Sequence, residues 1–320
     1  MKSPHHKIRT AVVGIGYLGR FHAYKYAHSP QAELVALVDK DVKKAYDVAE
    51  ELFSEGLCAE KIPVASDIMD VVDRVEAVSI VVPTQVHYEV TLQCLQHGLH
   101  CLVEKPFTHT VAQADHLIGI AREKQVKIQV GHLERFNPAF IRLKKELYHY
   151  PDSLFIEARR ISGFQPRAAD VNVIFDLMIH DIDLLLHLVQ AEITGIEANG
   201  ISVITDKIDI ANARIHFACG SFASLTSSRV SKKSERRTQV YTDRKYYTLD
   251  FKKQYLESSR VATESTIESQ SCNIIQEDAL KAEIEHFLTA VRTDKEPLVT
   301  AEQGKKALDI AHQITASIAS

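Results

Sequence analysis

The sequence predicts an α/β protein with an N-terminal doubly wound parallel sheet and a C-terminal α+β domain whose open sheet is mostly antiparallel. Three observations support this fold class. An apolar run, Thr10–Val13, enters the glycine-rich turn Gly14–Gly19, and a helical pattern follows. Apolar runs then alternate with helical patterns as far as His132. After Glu192, strand-like runs follow one another with little helical sequence between them.

The N-terminal elements follow from the spacing of apolar residues. Apolar runs that end at glycine, proline or an acid are typical of buried strands, and apolar residues at helical spacing predict the connecting helices. The predicted strands are Thr10–Val13, Leu34–Val38, Ala77–Val82, Leu99–Val103 and Lys127–His132, with a short extended piece at Val64. The predicted helices follow Gly19 and cover Val42–Leu52, Ile68–Val72, His87–His97 and Val111–Lys124. Strands connected in this way form a right-handed, doubly wound parallel sheet.

The pattern changes after Gly131, which places the boundary between two domains, 1–133 and 134–320. Helices are predicted at Pro138–Leu147, Val173–Val189, Asp278–Arg292 and Ala301–Ala316. Extended segments are predicted at Ser153–Phe164, Gly200–Thr205, Ile210–Phe217, Ser221–Val230, Thr238–Thr242 and Tyr246–Phe251. The polar stretch Arg260–Gln270 is expected to be a mobile loop.

Composition excludes several classes of protein. The formal net charge of −4 gives no basic excess for a nucleic-acid partner. No apolar run approaches the length of a transmembrane helix, and the first seven residues lack the apolar core of a signal peptide. The five cysteines are widely spaced, with no C-x-x-C, so neither a disulfide framework nor a zinc cluster is expected. These features favour a cytoplasmic protein.

The turn Gly14–Gly19 has the G-x-G-x-x-G spacing of Rossmann dinucleotide-binding domains. Gly14 allows the tight turn, Gly16 lets the backbone approach a pyrophosphate, and Gly19 lets the helix lie close to the sheet. Tyr17 and Leu18, between the last two glycines, are expected to contact the cofactor at the helix N-terminus. The alternative, that the glycines serve only packing, remains open at this point.

Asp39 ends the second predicted strand, twenty residues after Gly19. A carboxylate there accepts hydrogen bonds from an adenosine ribose and repels a 2′-phosphate, so NAD is favoured over NADP. Lys40 beside it weakens this preference, because a cation tolerates the phosphate.

Two further predicted strands end in candidate cofactor residues, since ligands of such sheets bind beyond the carboxyl ends of the strands. Pro83, Thr84 and His87 follow one strand, and Glu104 and Lys105 follow the next. Pro83, Thr84 and His87 have a structural alternative, in which Pro83 ends the strand and His87 is a polar residue at the start of the next helix. Lys105 would sit beside the nicotinamide and either stabilise a developing alkoxide or move a proton. Its alternative is an ordinary solvated charge.

The strong helix predicted after Val173 carries Asp176, His180 and Asp183 at i, i+4 and i+7, and therefore on one face. A histidine beside a carboxylate is a candidate general base. It could instead be a core histidine with a hydrogen-bond partner. The spacing also suits a metal, but no clustered Cys or His supports one, and none is expected.

Several arginines suit bidentate recognition of a substrate diphosphate, or else form salt bridges. The candidate substrate residues are the arginines Arg135, Arg159, Arg160 and Arg167, together with Asn137 beside the first of them.

Together these motifs resemble the Gfo/Idh/MocA family of NAD(P)-dependent sugar oxidoreductases over nearly the whole chain. The shared motifs are Gly14–Gly19, Pro83-Thr84 with His87, Glu104-Lys105-Pro106, and Asp176 with His180. The resemblance implies a dinucleotide-binding domain at 1–133 and a substrate-binding and oligomerisation domain at 134–320. It also implies a homodimer or homotetramer that uses the outer face of the second sheet.

The stretches Gly131–Pro138 and Asp176–Asp181 resemble the branch that oxidises UDP-N-acetylglucosamine at its 3-hydroxyl, whose product is transaminated for lipid A or related glycans. Met178 replaces a glycine common in the wider family. The resemblance implies that His180 accepts the hydroxyl proton, Lys105 holds the oxygen and Asp176 orients the sugar. It does not divide the role of base between Lys105 and His180. The alternatives are a dehydrogenase of a free sugar or cyclitol such as inositol, and a non-catalytic NAD-sensing regulator.

Overall fold

A computed structural model describes residues 6–148, 153–165, 171–243, 245–263 and 266–319. The chain divides into two compact units. Unit 1 contains Met1–His132 and Leu280–Lys305, and unit 2 contains Leu133–Ala279 and Lys306–Ser320. Within the described residues, no helix combines the length and apolar character needed to cross a bilayer.

The sheet of unit 1 is parallel throughout its described strands, as predicted. Its strands are β1 Ile8–Val13, β2 Ala32–Val38, β3 Val64–Ala65, β4 Ala77–Ile80, β5 His100–Glu104 and β6 Ile128–Gly131. They lie in the order β3-β2-β1-β4-β5-β6, which is the doubly wound order. The direction of winding reverses between β1 and β4, so the crevice for a ligand lies beyond the carboxyl ends of these strands.

The helices of the first part of unit 1 are α1 Tyr17–His28, α2 Val42–Ser54, α3 His87–Gln96 and α4 Val111–Lys124. A capping box begins α4, because the Thr110 hydroxyl accepts the Gln113 N–H and the Gln113 side chain accepts the Thr110 N–H. The helix predicted at Ile68–Val72 is wrong. Two short 3₁₀ turns, Ile68–Asp70 and Val72–Arg74, occupy that segment.

Unit 2 is built on an open sheet whose associated helices include α5 Pro138–Leu147 and α6 Ile179–Leu188. The strands are β7 Phe155–Ile161, β8 Ile193–Ile201, β9 Ile210–Phe217, β10 Phe222–Ser228, β11 Glu235–Tyr241, β12 Lys245–Asp250, β13 Tyr255–Thr263 and β14 Thr266–Ser271. Their order is β14-β13-β12-β11-β7-β10-β9-β8. The β7–β10 pair is parallel and the other described pairs are antiparallel, as the mostly antiparallel prediction requires.

Alternation along the strands separates two faces of this sheet. On β7, Ile156, Ala158 and Arg160 are buried, and on β11 Thr238 and Val240 are buried. These side chains face the helices, where a single apolar core includes residues of α5, α6 and the sheet. The intervening residues face outward.

Two predictions about loops and strands in unit 2 are wrong. The stretch Arg260–Gln270 is not a loop, because β13 and β14 pair across it as a hairpin whose second strand is exposed along its whole length. The strand expected at Gly200–Thr205 instead ends at Ile201. The Asp209 carboxylate accepts the backbone N–H groups of Val203, Ile204 and Thr205, which bends the chain there.

Of the last two helices, α7 Ala279–Thr293 and α8 Ala301–Ala319, only the part from Leu280 to Lys305 departs from the expected domain assignment, and α8 from Lys306 onward belongs to unit 2. Residues 280–305 pack within unit 1, although the sequence suggested that they belong to the second domain. Edge strand β6 explains this packing. Gln129 donates to the carbonyl of Glu283 on α7, and a Cβ at Gly304 on α8 would lie 2.6 Å from a Val130 methyl.

Candidate active site

The three glycines of the first turn have different physical roles. Gly14 has φ +92°, and a Cβ there would lie 2.5 Å from the Val81 carbonyl oxygen. A Cβ at Gly19 would overlap the Gly14 carbonyl oxygen. A Cβ at Gly16 would meet no described atom within 4 Å. Packing therefore requires glycine at positions 14 and 19, whereas Gly16 leaves open space in front of the N-terminus of α1.

The open space adjoins the groups expected for a dinucleotide. The first N–H groups of a helix lack partners inside the helix and form a site for an anion such as a pyrophosphate. Here that first turn contains Tyr17, which is 67% exposed, and the half-buried Leu18. This arrangement fits a bound pyrophosphate.

Asp39 lies at the end of β2 and holds the glycine turn in place. Its carboxylate accepts the Ile15 N–H at 2.6 Å and the Asp41 N–H at 2.8 Å. No local pattern in the sequence indicates this bond to the turn. Asp39 remains half-buried, with Lys40 exposed beside it, so the carboxylate can also reach a ribose at the strand end.

His87 does not face the cofactor crevice, which corrects its expected role. The side chain is 1% exposed, and its nitrogens lie 2.8 Å from the carbonyl oxygens of Val82 and Pro106. Burial lowers the pKa of His87, and the two carbonyls oppose that shift. His87 therefore ties the turn after β4 to the turn after β5. Pro83 in the first of these turns is exposed, and Thr84 is half-buried.

Glu104 also points into unit 1 rather than toward the crevice. Its carboxylate lies 3.4 Å from His22 Nε2 and accepts the Lys105 N–H at 3.2 Å. Burial raises the pKa of Glu104, but His22 and Lys105 outweigh this and hold the pKa below its ordinary value. A Cβ at Gly131 would lie 2.9 Å from this carboxylate. Lys105 follows at the strand end, half-buried and joined to Pro106 by a cis peptide bond.

A second buried acid in this region, Glu283 on α7, escaped the sequence analysis. It is fully buried, and neither carboxylate oxygen has a hydrogen-bond partner among the described residues. Burial and the charge of Glu104 raise the pKa of Glu283 well above its ordinary value. The available signal was an acid among the apolar residues Leu280, Ile284 and Phe287 of one helix face.

In unit 2, Asp176 and His180 lie at a π-helical turn. The turn, Ile174–Met178, runs directly into α6 at Ile179, and the Asn172 side chain caps its first N–H groups. Such turns are rare and frequent at functional sites. Both Asp176 and His180 are half-buried. Asp183, three residues after His180 in α6, is 1% exposed and bound to Arg135, so its carboxylate is already engaged.

Two of the arginines expected to bind a diphosphate, Arg135 and Arg160, are instead buried in ion pairs. Arg135 donates to both carboxylate oxygens of Asp183, at 2.7 and 2.9 Å. Arg160 donates to both oxygens of Asp181, at 3.0 and 2.8 Å, and to Glu134 at 2.8 Å.

Both of these arginine side chains are 3% exposed, so they hold α6 and are not available to a ligand. Asn137 is likewise buried, capping α5 and donating to the Phe251 carbonyl. Arg159 is exposed, and Arg167 lies outside the described residues.

Comparisons with known proteins agree with this geometry. Residues 8–132 match the family model described as "Oxidoreductase family, NAD-binding Rossmann fold", and residues 150–248 match the "GFO/IDH/MocA C-terminal domain". The chain belongs to the Gfo/Idh/MocA family of oxidoreductases. Unit 1 accordingly carries an NAD-binding Rossmann fold, and the predicted cofactor is confirmed at that level.

Individual relatives of known activity are sugar and cyclitol dehydrogenases. The chain is 36% identical over 316 residues to UDP-N-acetylglucosamine 3-dehydrogenase of Acidithiobacillus ferrooxidans, covering 97% of each chain. It superposes on a solved structure of that enzyme with a TM-score of 0.90 and 34% identity, over 98% of each chain. It is 27% identical to scyllo-inositol 2-dehydrogenase (NAD(+)) of Bacillus subtilis, over 92% of this chain and 89% of the relative.

Replacing Gly16 tests whether its open space serves NAD. Gly16→Ala should leave the melting temperature unchanged, because the added Cβ meets nothing within 4 Å. It should weaken NADH binding by about tenfold or more, since the methyl group occupies the approach to the pyrophosphate. Fluorescence titration measures the affinity. Gly14→Ala is the contrasting variant and should lose stability. Unchanged NADH affinity in Gly16→Ala would contradict the assigned role.

Replacing Glu283 tests whether that acid is neutral. A carboxyl with a raised pKa in the folded state loses stability as pH rises from its unfolded pKa through its folded pKa. An amide does not ionise and carries no such cost, so Glu283→Gln should raise the melting temperature more at pH 8 than at pH 5. A difference of one in pKa between the folded and unfolded states corresponds to about 1.4 kcal/mol. Glu123→Gln, at an exposed position of α4, is the control. A variant less stable than the parent at both pH values would indicate an ionised, paired carboxylate.

Proposed function

We propose that this chain is an NAD-dependent dehydrogenase that oxidises the 3-hydroxyl of UDP-N-acetylglucosamine to a ketone. The carrying observation is the 36% identity to an enzyme of that name, extending over 97% of both chains. The inositol dehydrogenase relative is less similar, at 27% identity. The candidate site residues Lys105, Asp176 and His180 are all present and half-buried, which supports an enzyme over a non-catalytic regulator.

Unit 1 has the groups that would hold NAD. Gly16 leaves room for the pyrophosphate at the N-terminus of α1, and Asp39 would accept hydrogen bonds from the adenosine ribose. Pro83 and Thr84 would line the crevice after β4. When bound, NAD supplies the hydride acceptor at its nicotinamide ring.

The side chains of this protein would handle the proton and the developing charge. His180 would accept the proton of the sugar 3-hydroxyl, since neutral imidazole is a base near physiological pH. Lys105 would donate a hydrogen bond to the same oxygen and stabilise the negative charge that forms there. Asp176 would orient the sugar and the imidazole.

A substrate panel tests the proposal directly. NADH absorbance should rise with UDP-N-acetylglucosamine, and NMR of the product should locate the ketone at C3. Free N-acetylglucosamine and myo-inositol should react poorly. Reduction of NAD by inositol but not by the nucleotide sugar would indicate a cyclitol dehydrogenase. Absence of turnover with every sugar would indicate a regulator.

The assigned roles predict the behaviour of two variants. Lys105→Ala and His180→Ala should each lower kcat by about 10²–10⁴-fold while NADH still binds. The exposed residues Lys124 and His97 provide control substitutions to alanine. A pH profile that loses its acidic limb in His180→Ala supports imidazole as the base. Near-normal turnover in either variant would contradict its role.

The proposal extends to a cytoplasmic homodimer or homotetramer whose product enters 3-amino sugar and lipid A synthesis. Aromatic rings on the outer face of the unit 2 sheet support self-association. Phe155 stacks on Phe222 and on Tyr241 with ring centroids 4.4 and 5.2 Å apart, and Phe222 is 42% exposed.

Sedimentation analysis should therefore give a multiple of the 35.9 kDa chain. A Phe222→Glu variant should shift toward monomer, because a charge would then sit within the aromatic face. A parent protein that sediments as a monomer would contradict the expected assembly.

A further inference from the structure

Arg236, at the start of β11, differs from the other arginines of unit 2 that face the helices. Register places it directly opposite Arg160 on β7, so the two side chains share the helix-facing side of the sheet. Thr238 and Val240, the next residues in its row, are buried. The Arg236 side chain is 49% exposed, whereas Arg160 is 3% exposed. Arg236 is therefore the residue at which the helix-facing side chains of β11 become exposed to solvent.

Most of the hydrogen-bonding capacity of Arg236 is unused. Its ion pair among the described residues is with Glu134, at 3.6 Å, which is too long for a hydrogen bond. Its guanidinium makes no hydrogen bond to any other residue that the structure describes. Arg160, by contrast, places three of its nitrogens within 3.0 Å of carboxylate oxygens. A guanidinium carries five donors in a planar fork suited to a phosphate.

The position of Arg236 relates it to the candidate catalytic helix of the same unit. Asp181, the residue after His180, accepts two of the three hydrogen bonds that Arg160 donates. Burial raises the pKa of Asp181, and the charges of Arg160 and Arg236 oppose that rise, so Arg236 lies close enough to act on this carboxylate. Arg236 is thus near the start of α6, but it lies outside the buried ion-pair cluster that Arg160 forms with Asp181 and Glu134.

Local charge favours an anion at this end of β11. Lys232 and Lys233 are exposed in the turn that precedes the strand. Glu134 is 8% exposed and is already engaged by Arg160 at 2.8 Å, so its charge is largely compensated. Lys232, Lys233 and Arg236 are therefore exposed cations at this end of β11.

We propose that Arg236 binds the diphosphate of the nucleotide-sugar substrate. The inference rests on the proposed function, because the diphosphate belongs to the UDP group of that substrate. In a UDP-sugar the diphosphate is attached at C1, two ring positions away from C3, which carries the reacting hydroxyl. A diphosphate-binding residue should therefore lie near the helix that carries His180 without being adjacent to His180. Arg236 meets this condition, whereas the buried Arg135 and Arg160 do not offer free donors.

A pair of adjacent variants separates this role from general charge effects. Arg237 is exposed on the outer face of the same strand, opposite Arg159, and provides the matched control. Arg236→Ala should raise the KM for UDP-N-acetylglucosamine by about 10–100-fold, while kcat and the KM for NAD change less than about threefold. Arg237→Ala should match the parent. Arg236→Lys should recover only part of the affinity, because an ammonium lacks the bidentate fork.

Calorimetry with UDP and UMP supplies a readout independent of turnover. The parent should bind UDP more tightly than UMP, and Arg236→Ala should lose that difference. Equal affinities of Arg236→Ala and Arg237→Ala for UDP would overturn the inference, as would a parent that binds neither nucleotide. If the parent fails to oxidise UDP-N-acetylglucosamine yet shows the Arg236-dependent preference for UDP, the proposed reaction fails while the diphosphate site stands. Unchanged melting temperatures exclude misfolding.

Discussion

The direction of α6 depends on two buried ion pairs. Asp181 and Asp183 of this helix are bound by Arg160 and Arg135, each through two hydrogen bonds of 3.0 Å or less. Removing one partner of such a pair leaves a buried charge and costs about 3–5 kcal/mol. His180 precedes the first of these aspartates, and the π-helical turn with Asp176 precedes His180. The ion pairs therefore fix the helix that presents both candidate catalytic side chains of unit 2.

In unit 1, buried ionisable groups likewise lie near the strand end that carries Lys105. His22 and Lys105 hold the pKa of Glu104 below its ordinary value, whereas burial and the charge of Glu104 raise the pKa of Glu283 well above its ordinary value. His87 adds a mechanical constraint, since its two ring nitrogens lie 2.8 Å from the carbonyl oxygens of two neighbouring turns. The backbone around Lys105 is thus fixed on two sides, because Glu104 accepts the Lys105 N–H and His87 contacts the Pro106 carbonyl.

Local sequence was sufficient where neighbours along the chain decide the structure. The strand, glycine turn, helix and second strand at the N-terminus appear as predicted, and the mostly antiparallel second sheet follows from its consecutive strand-like runs. The hairpin across Arg260–Gln270 was missed because both faces of its second strand are exposed, so no apolar alternation marks it. Residue type also misled for Arg135 and Arg160. Arginine suits a phosphate, but which face of an element it occupies decides whether its donors are free.

The sequence by itself determined the fold class and the cofactor class, and it singled out Lys105 and His180 as candidate catalytic residues, because short motifs with fixed spacing carry that information. Only the tertiary structure decided burial and pairing. Arg135 binds Asp183 from 48 residues away, the charge of Glu104 raises the pKa of Glu283 near the other end of the chain, and antiparallel register sets Arg236 opposite Arg160. These contacts join distant residues, and the free energy of a charge depends on what surrounds it in space. For that reason the glycine turn could be interpreted from the sequence, whereas the arginine available to a diphosphate could not.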